Sequence, residues 1–182
     1  MRTAVRRTAW SIDDFIAWEN GQATKHEFVH GEIFAMVGGA ILHAMVIGNI
    51  YAALRSRLTR PCLALTNDAK VRVESSGSVY YPDVVVTCTP QDPRRTVLAD
   101  PVLVVEVLSE GTAKFDRTTK RADYASIPSV QYILLVDTDE RRVELDRREA
   151  DGGWTRETVT EEGAVELPGL GAALDLDDIY AQ

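Results

Sequence analysis

Cysteine is scarce in this chain: Cys62 and Cys88 are the only two among 182 residues. Two thiols argue against a disulfide framework, and the expectation is a reduced, cytoplasmic protein. Long apolar runs are missing as well. None approaches the ~20 residues that a bilayer-spanning helix requires, so no membrane association is expected. The start, MRTAVRRTAW, carries arginines with no apolar stretch behind them, and so does not read as a secretory signal. No His/Cys spacing of the zinc type occurs. The segment VGGAILH has glycines but lacks the lysine of a phosphate-binding loop.

Positive charge is also in short supply, with 20 Lys and Arg against 28 Asp and Glu for a net charge of −8. Phosphate binding is driven by cationic neutralisation, so the balance counts against nucleic acid. The deficit is local, however. Residues 149–182 carry nine acids against Arg156 alone, while residues 1–148 balance at 19 of each. The C-terminal acidity reads as a solvated surface that aids solubility.

What is present is enough apolar residue, 45% of the chain, to bury a sizeable core. The length suits one domain, residues 1–182. SIDDFIAWEN predicts a helix, with Ser11 as N-cap, Asp14 at the capping-box position and Gly21 past its end. KHEFVHGEIFAM predicts two short strands joined at His30-Gly31. ILHAMVIGNIYAALRSRL predicts the longest helix, because Val46, Ile47, Ile50, Leu54 and Leu58 recur at helical spacing. LALTNDAKVRVES alternates in its second half and reads as a strand. DVVVTC and VLVVEVLS are valine-rich runs of the kind found in central strands buried on both faces. DRTTKRADYAS reads as a helix starting near Asp116 and stopping before Ile127-Pro128, since the residue before proline disfavours helical dihedrals. VQYILLVD is another buried strand. RRVELDRRE and WTRETVTEE form an antiparallel pair around Asp151-Gly152-Gly153. The tail, LPGLGAALDLDDIYAQ, is expected to pack a short helix on the core. This order predicts an α/β domain around a mixed central sheet flanked by helices.

Two carboxylates stand out. In VLVVEVL, Glu106 shares a strand face with Val104 and Leu108, because side chains alternate with period two. An isolated ionised carboxylate in such company is costly and must be neutralised, paired or bound to a cation. Asp83 enters the preceding strand behind Pro82. If the two strands are neighbours, both acids reach one point, and two carboxylates with water ligands make a hard-oxygen site for Mg²⁺. The structural alternative is an ion pair for Glu106 and a strand-entry role for Asp83.

YPDVVV, followed by PVLVVEVLSEGTAKFDRTTKRADY and then VQYILLVD, resembles the Uma2 family, also called DUF820, of the PD-(D/E)XK nuclease superfamily. KHEFVHGEIFAM and HAMVIGNIYAALRSRL are similar to that family's N-terminal part. The resemblance implies a restriction-endonuclease-like core with Asp83 and Glu106 as metal ligands on adjacent strands, taking Mg²⁺ or Mn²⁺. The sequence departs from the superfamily pattern at Leu108, where a lysine is usual. Lys120 is the expected substitute: Asp116, Lys120 and Tyr124 are spaced to share one helical face. The resemblance also places Glu27 near the site as an extra acid. Lys114, Arg117 and Arg121 lie nearby, as a phosphate contact or as a solvated helix face. His43 reads as a cap or packing residue, and His26 and His30 as solvated.

The reading is a metal-dependent endonuclease, with DNA as the expected substrate and a homodimer as the expected assembly. Two rivals stand beside it. One is a catalytically inactive binding or assembly module, which the Leu108 departure supports. The other is a phosphoesterase on a small nucleotide, which needs no basic groove.

Overall fold

The computed structural model describes residues 4–7 and 9–182. The arginine-bearing start, read above as carrying no secretory signal, lies partly outside them. Capping decides the first helix, α1 (Ile12–Glu19). The Ser11 side chain accepts from the Asp14 N–H, and the Asp14 carboxylate accepts from the Ser11 N–H. Strands β2 (His26–Val29) and β3 (Glu32–Ala35) pair antiparallel through a turn in which His30 and Gly31 both have positive φ, at 49° and 86°. With β1 (Arg6–Arg7), β5 (Val71–Val73) and β6 (Ser78–Tyr80) they form a five-stranded sheet of order β1-β3-β2-β6-β5.

The central sheet has six strands. It contains β4 (Leu63–Thr66), β7 (Val84–Thr87), β8 (Pro101–Val107), β9 (Tyr132–Val136), β10 (Arg142–Arg148) and β11 (Trp154–Thr160), in the order β11-β10-β9-β8-β7-β4. All neighbours are antiparallel except β8 and β9, so the sheet is mixed. Every residue of β7 and β9 is buried, as DVVVTC and VQYILLVD predict, and β8 is buried throughout except for the half-buried Val102.

The long helix α2 (Ile41–Arg57) covers one face of this sheet, where Val46, Ile50 and Leu54 pack against Leu103, Val105 and Val107. The tail closes the same face. It builds β12 (Ala164–Leu167), a 3-10 turn at Pro168–Leu170, β13 (Ala172–Asp175) and α5 (Leu176–Ile179), and buries Val165, Leu167, Leu174 and Ile179. All nine acids of residues 149–182 are exposed, in line with the solvated surface expected of them. The opposite face is covered by a helical segment: α3 (Ala113–Phe115), a π-helical turn at Asp116–Lys120, and α4 (Arg121–Ala125). That helix starts earlier than its sequence suggests, and it ends before Pro128 as expected.

Two expectations are corrected. LALTNDAKVRVES is not one strand; β4 and β5 lie in different sheets. Cys62 and Cys88 are not free thiols but form a disulfide. Leu63 pairs with Thr87, so the adjacent cysteines fall opposite each other at the ends of β4 and β7. A count of two cysteines carries no information about that register. Among the described residues, no helix is long and apolar enough to cross a membrane.

Candidate active site

The register of the central sheet brings the two acids together. Val84 pairs with Val105 and Val85 with Val104; one step further places Asp83 level with Glu106, on the same face. The strand β7 starts at Val84, so the backbone of Val107 has no ladder partner on that side. The Asp83 side chain replaces it: Oδ2 accepts the Val107 N–H at 2.7 Å. A buried N–H needs such a partner.

Glu106 sits between Val104 and Leu108 on the face covered by the π-helical turn and α4. The spacing of Asp116, Lys120 and Tyr124 delivers all three to it. Lys120 Nζ donates to Glu106 Oε1 at 3.0 Å, and the Tyr124 hydroxyl donates to the same oxygen at 2.6 Å. Lys120 Nζ also lies 2.9 Å from Glu27 Oε1 and 3.5 Å from Asp116 Oδ1. Glu27 reaches this point because it alternates with Phe28, which faces the other way into the packing against Phe15. Leu108 is buried among apolar neighbours, and the ammonium that reaches Glu106 comes from the facing helix.

These groups line one cavity of about 530 Å³. Glu27, Asp83, Glu106, Asp116 and Lys120 are all on its wall, and Phe34, Met36 and Val37 supply an apolar side. Burial pushes the carboxyl of Glu106 well above the usual carboxylate range. The Lys120 ammonium opposes that shift, while Asp116, Asp83 and Glu27 add to it. Burial also raises Asp83, against the Val107 hydrogen bond and the neighbouring His43 and Lys120. Burial alone would lower Lys120, but Glu106, Glu27 and Asp116 outweigh it and hold the ammonium well above its ordinary value. Four carboxyl groups surround one lysine, so the cluster holds more acidic groups than its single ammonium can balance.

That surplus is the test of whether a divalent cation fits. Among the described residues no group of three or more His, Cys, Asp or Glu is set to hold a metal ion by itself. Mg²⁺, however, commonly uses one or two carboxylates and completes its shell with water and phosphate oxygens. Asp83 and Glu106 provide hard oxygen donors, and the observed bonds fall on Oδ2 and Oε1, leaving Oδ1 and Oε2 outside them. The donor set and the charge surplus fit Mg²⁺ or Mn²⁺.

Several residues stand elsewhere than their sequence suggests. His43 lines the cavity, where its Nε2 lies 2.8 Å from the Val107 carbonyl oxygen and 3.7 Å from Asp83 Oδ2. The only trace of this in the sequence is a histidine in the otherwise apolar first turn of that helix. Arg117 and Arg121 do not form a solvated helix face but are paired with carboxylates. Arg117 binds Asp137 and Glu144, and the buried Arg121 binds Glu144 and Asp146. Lys114 alone of the three is exposed. His26 is not solvated either: its Nδ1 lies 3.0 Å from Glu19 Oε2, and Glu19 also accepts from the Tyr81 hydroxyl at 2.9 Å. His30 is exposed as expected.

Comparison with known proteins adds to the geometry. The model of the Uma2 family, described as "Putative restriction endonuclease", matches residues 12–177. Two relatives come from Synechocystis sp., both described as uncharacterized. The protein slr1290 is 33% identical over 172 residues, which is 93% of this chain and 90% of the relative. The protein sll1609 is 30% identical over 147 residues, 78% of this chain and 82% of the relative. A crystal structure from Anabaena variabilis, described as a putative nuclease belonging to DUF820, superposes with a TM-score of 0.76. It covers 94% of this chain and 98% of its own at 17% identity, and so speaks for the fold.

Proposed function

The chain belongs to the Uma2 family, and on that premise we propose that it is a metal-dependent endonuclease hydrolysing phosphodiester bonds of nucleic acid, with residues 1–182 acting as one endonuclease-like domain. The observation that carries this reading is the convergence of Asp83, Glu106 and Lys120 on one cavity. Asp83 and Glu106 would hold Mg²⁺ or Mn²⁺. The ion, when bound, polarises a phosphoryl oxygen and acidifies a water molecule. Lys120 presents a cation where charge develops on the phosphorane-like transition state, a role for which a point charge on a flexible stem suffices. Glu27 and Asp116 hold that ammonium in place, so Glu27 acts on Lys120. DNA is the proposed substrate. A homodimer would set two such cavities on one duplex.

A second reading is favoured by a specific observation. Arg117 and Arg121 are engaged with carboxylates, which leaves few cations for a phosphate backbone and suits a small nucleotide phosphoester instead. A cleavage assay with Mn²⁺ on single-stranded DNA, double-stranded DNA and a small phosphodiester separates the two. Endonuclease action predicts internal cuts in DNA that Glu106→Gln abolishes. Turnover of the small ester alone would transfer the reading to the nucleotide. No turnover of any substrate with any divalent metal would leave the fold as a binding module.

A further inference from the structure

His43 enters the cavity from an element that carries none of the acids. It stands in the first turn of α2, on the far face of the sheet from Glu106, and reaches round the end of β8. What it meets there is the other half of an orphaned peptide edge. Leu108 N–H bonds the Val136 carbonyl, toward β9. Val107 therefore points both its N–H and its C=O to the opposite side, beyond the start of β7. Asp83 takes the N–H, and His43 Nε2 takes the C=O at 2.8 Å. A carbonyl only accepts, so the imidazole must carry its proton on Nε2. The same nitrogen lies 3.7 Å from Asp83 Oδ2, the oxygen that holds the Val107 N–H.

The ring has little freedom to leave this place. A Cβ at Gly39 would come within 2.9 Å of His43 Nδ1 and 3.1 Å of Cγ, so the backbone of Gly39 closes against the imidazole as only a glycine can. The side chain is 19% exposed, and that exposure faces the cavity it lines.

We propose that His43 is a positioning residue for Asp83: with Gly39 behind it, it locks Val107 and Asp83 Oδ2 together and so turns Asp83 Oδ1 toward the cation. The proposal rests on the reading of Asp83 as a metal ligand, and its consequence is that α2 joins β8 and the residue before β7 in shaping the carboxylate end of the site. A helix-capping or purely packing histidine would not govern the geometry of a carboxylate on another element.

The test uses three variants of the full chain. His43→Gln keeps an N–H that reaches the Val107 carbonyl, His43→Leu keeps bulk without a donor, and Gly39→Ala displaces the ring while leaving the histidine. Two quantities are followed: the amide proton shift of Val107 in metal-free protein by NMR, and Mn²⁺ affinity by electron paramagnetic resonance. His43→Leu and Gly39→Ala should move the Val107 amide upfield, with Leu103 on the same strand as the unaffected control. Both should weaken Mn²⁺ binding by about 10- to 100-fold, the usual cost of losing a partner that orients a metal ligand, and His43→Gln should restore most of it. A Val107 amide unmoved in His43→Leu overturns the proposal, as does Mn²⁺ affinity equal to wild type in that variant. If His43→Leu does not fold, Gly39→Ala and His43→Gln decide on the same two readouts. Should the wild type bind no Mn²⁺ while the Val107 amide still depends on His43, the coupling to Asp83 stands and the metal reading above is what fails.

Discussion

Two clusters of charged side chains lean on the same helical segment, and they are balanced in opposite ways. On the cavity side Lys120 faces Glu27, Glu106 and Asp116, with Asp83 on the same wall. On the other side Arg117, Arg121, Arg142 and Arg156 meet Asp137, Glu144 and Asp146. Four carboxylates share one ammonium in the first; three share four guanidinium groups in the second. The carboxyl groups respond accordingly. Burial raises Asp83 and Glu106, and the cation present does not reverse it. Burial would raise Asp137, Glu144 and Asp146 too, but their hydrogen bonds from the arginines outweigh it and hold all three below the usual range. A network of the second kind clamps the helix onto β10 and the turn after β9. The first kind leaves acidic groups in excess beside a cavity, and that surplus is what supports the proposed cation site.

The largest effect that would break this contrast is on chemistry. Glu106→Gln and Asp83→Asn should each lower Mn²⁺-dependent cleavage by at least ~10²-fold, on the scale of losing a principal electrostatic contact in a water-poor site. Both should also lose any rise in melting temperature on adding Mn²⁺, because a ligand that binds only the native state stabilises by mass action. Neither variant should melt below wild type in metal-free buffer, since each removes surplus charge. A shift in melting temperature that survives both substitutions would put the ion elsewhere.

Lys120→Ala is expected to strike both activity and stability. Its ammonium is buried against three carboxylates, and breaking a buried pair by removing one partner costs about 3–5 kcal/mol. An exposed helix lysine would cost almost nothing, so urea unfolding distinguishes the two roles directly. Arg121→Ala should cost a similar amount in urea, by the same physics, yet leave the Mn²⁺ affinity of the folded protein close to wild type. A large loss of metal affinity there would mean that the two clusters are coupled through the helix.

Acid titration sharpens the comparison further. Asp137, Glu144 and Asp146 have folded values below their unfolded ones, so their contribution is present above the ordinary 3.8 to 4.5 and is lost as pH falls through the lower folded values. Arg121→Ala should therefore lose less stability than wild type on acidification. Glu106 has the opposite sign: its folded value is raised, so its charge opposes folding increasingly as pH climbs above 4.5. Glu106→Gln should gain on wild type over that range in metal-free buffer. The smallest expected effect is on the C-terminal acids. Exposed Glu161 and Glu162 changed to Gln should leave DNA affinity nearly unchanged at fixed salt; a large gain would place them beside the binding groove.

Short-range patterns made much of this protein legible. The Ser11 capping box, the His30-Gly31 turn and the valine-rich runs each report dihedral preference or burial over a few residues, and each stands where it was read. Alternation alone put Glu106 on a buried face, and helical spacing alone aligned Asp116, Lys120 and Tyr124. Tertiary structure decided what those faces meet. It split one polar-interrupted segment between two sheets, paired Cys62 with Cys88, turned Arg117 and Arg121 toward acids on β10 and in the turn after β9, and brought His43 to the end of β8. These are contacts between residues 20 or more apart in the chain, fixed by strand register and by which face a helix lands on. A sequence encodes such contacts only through the summed packing of the whole core, and no local window contains them.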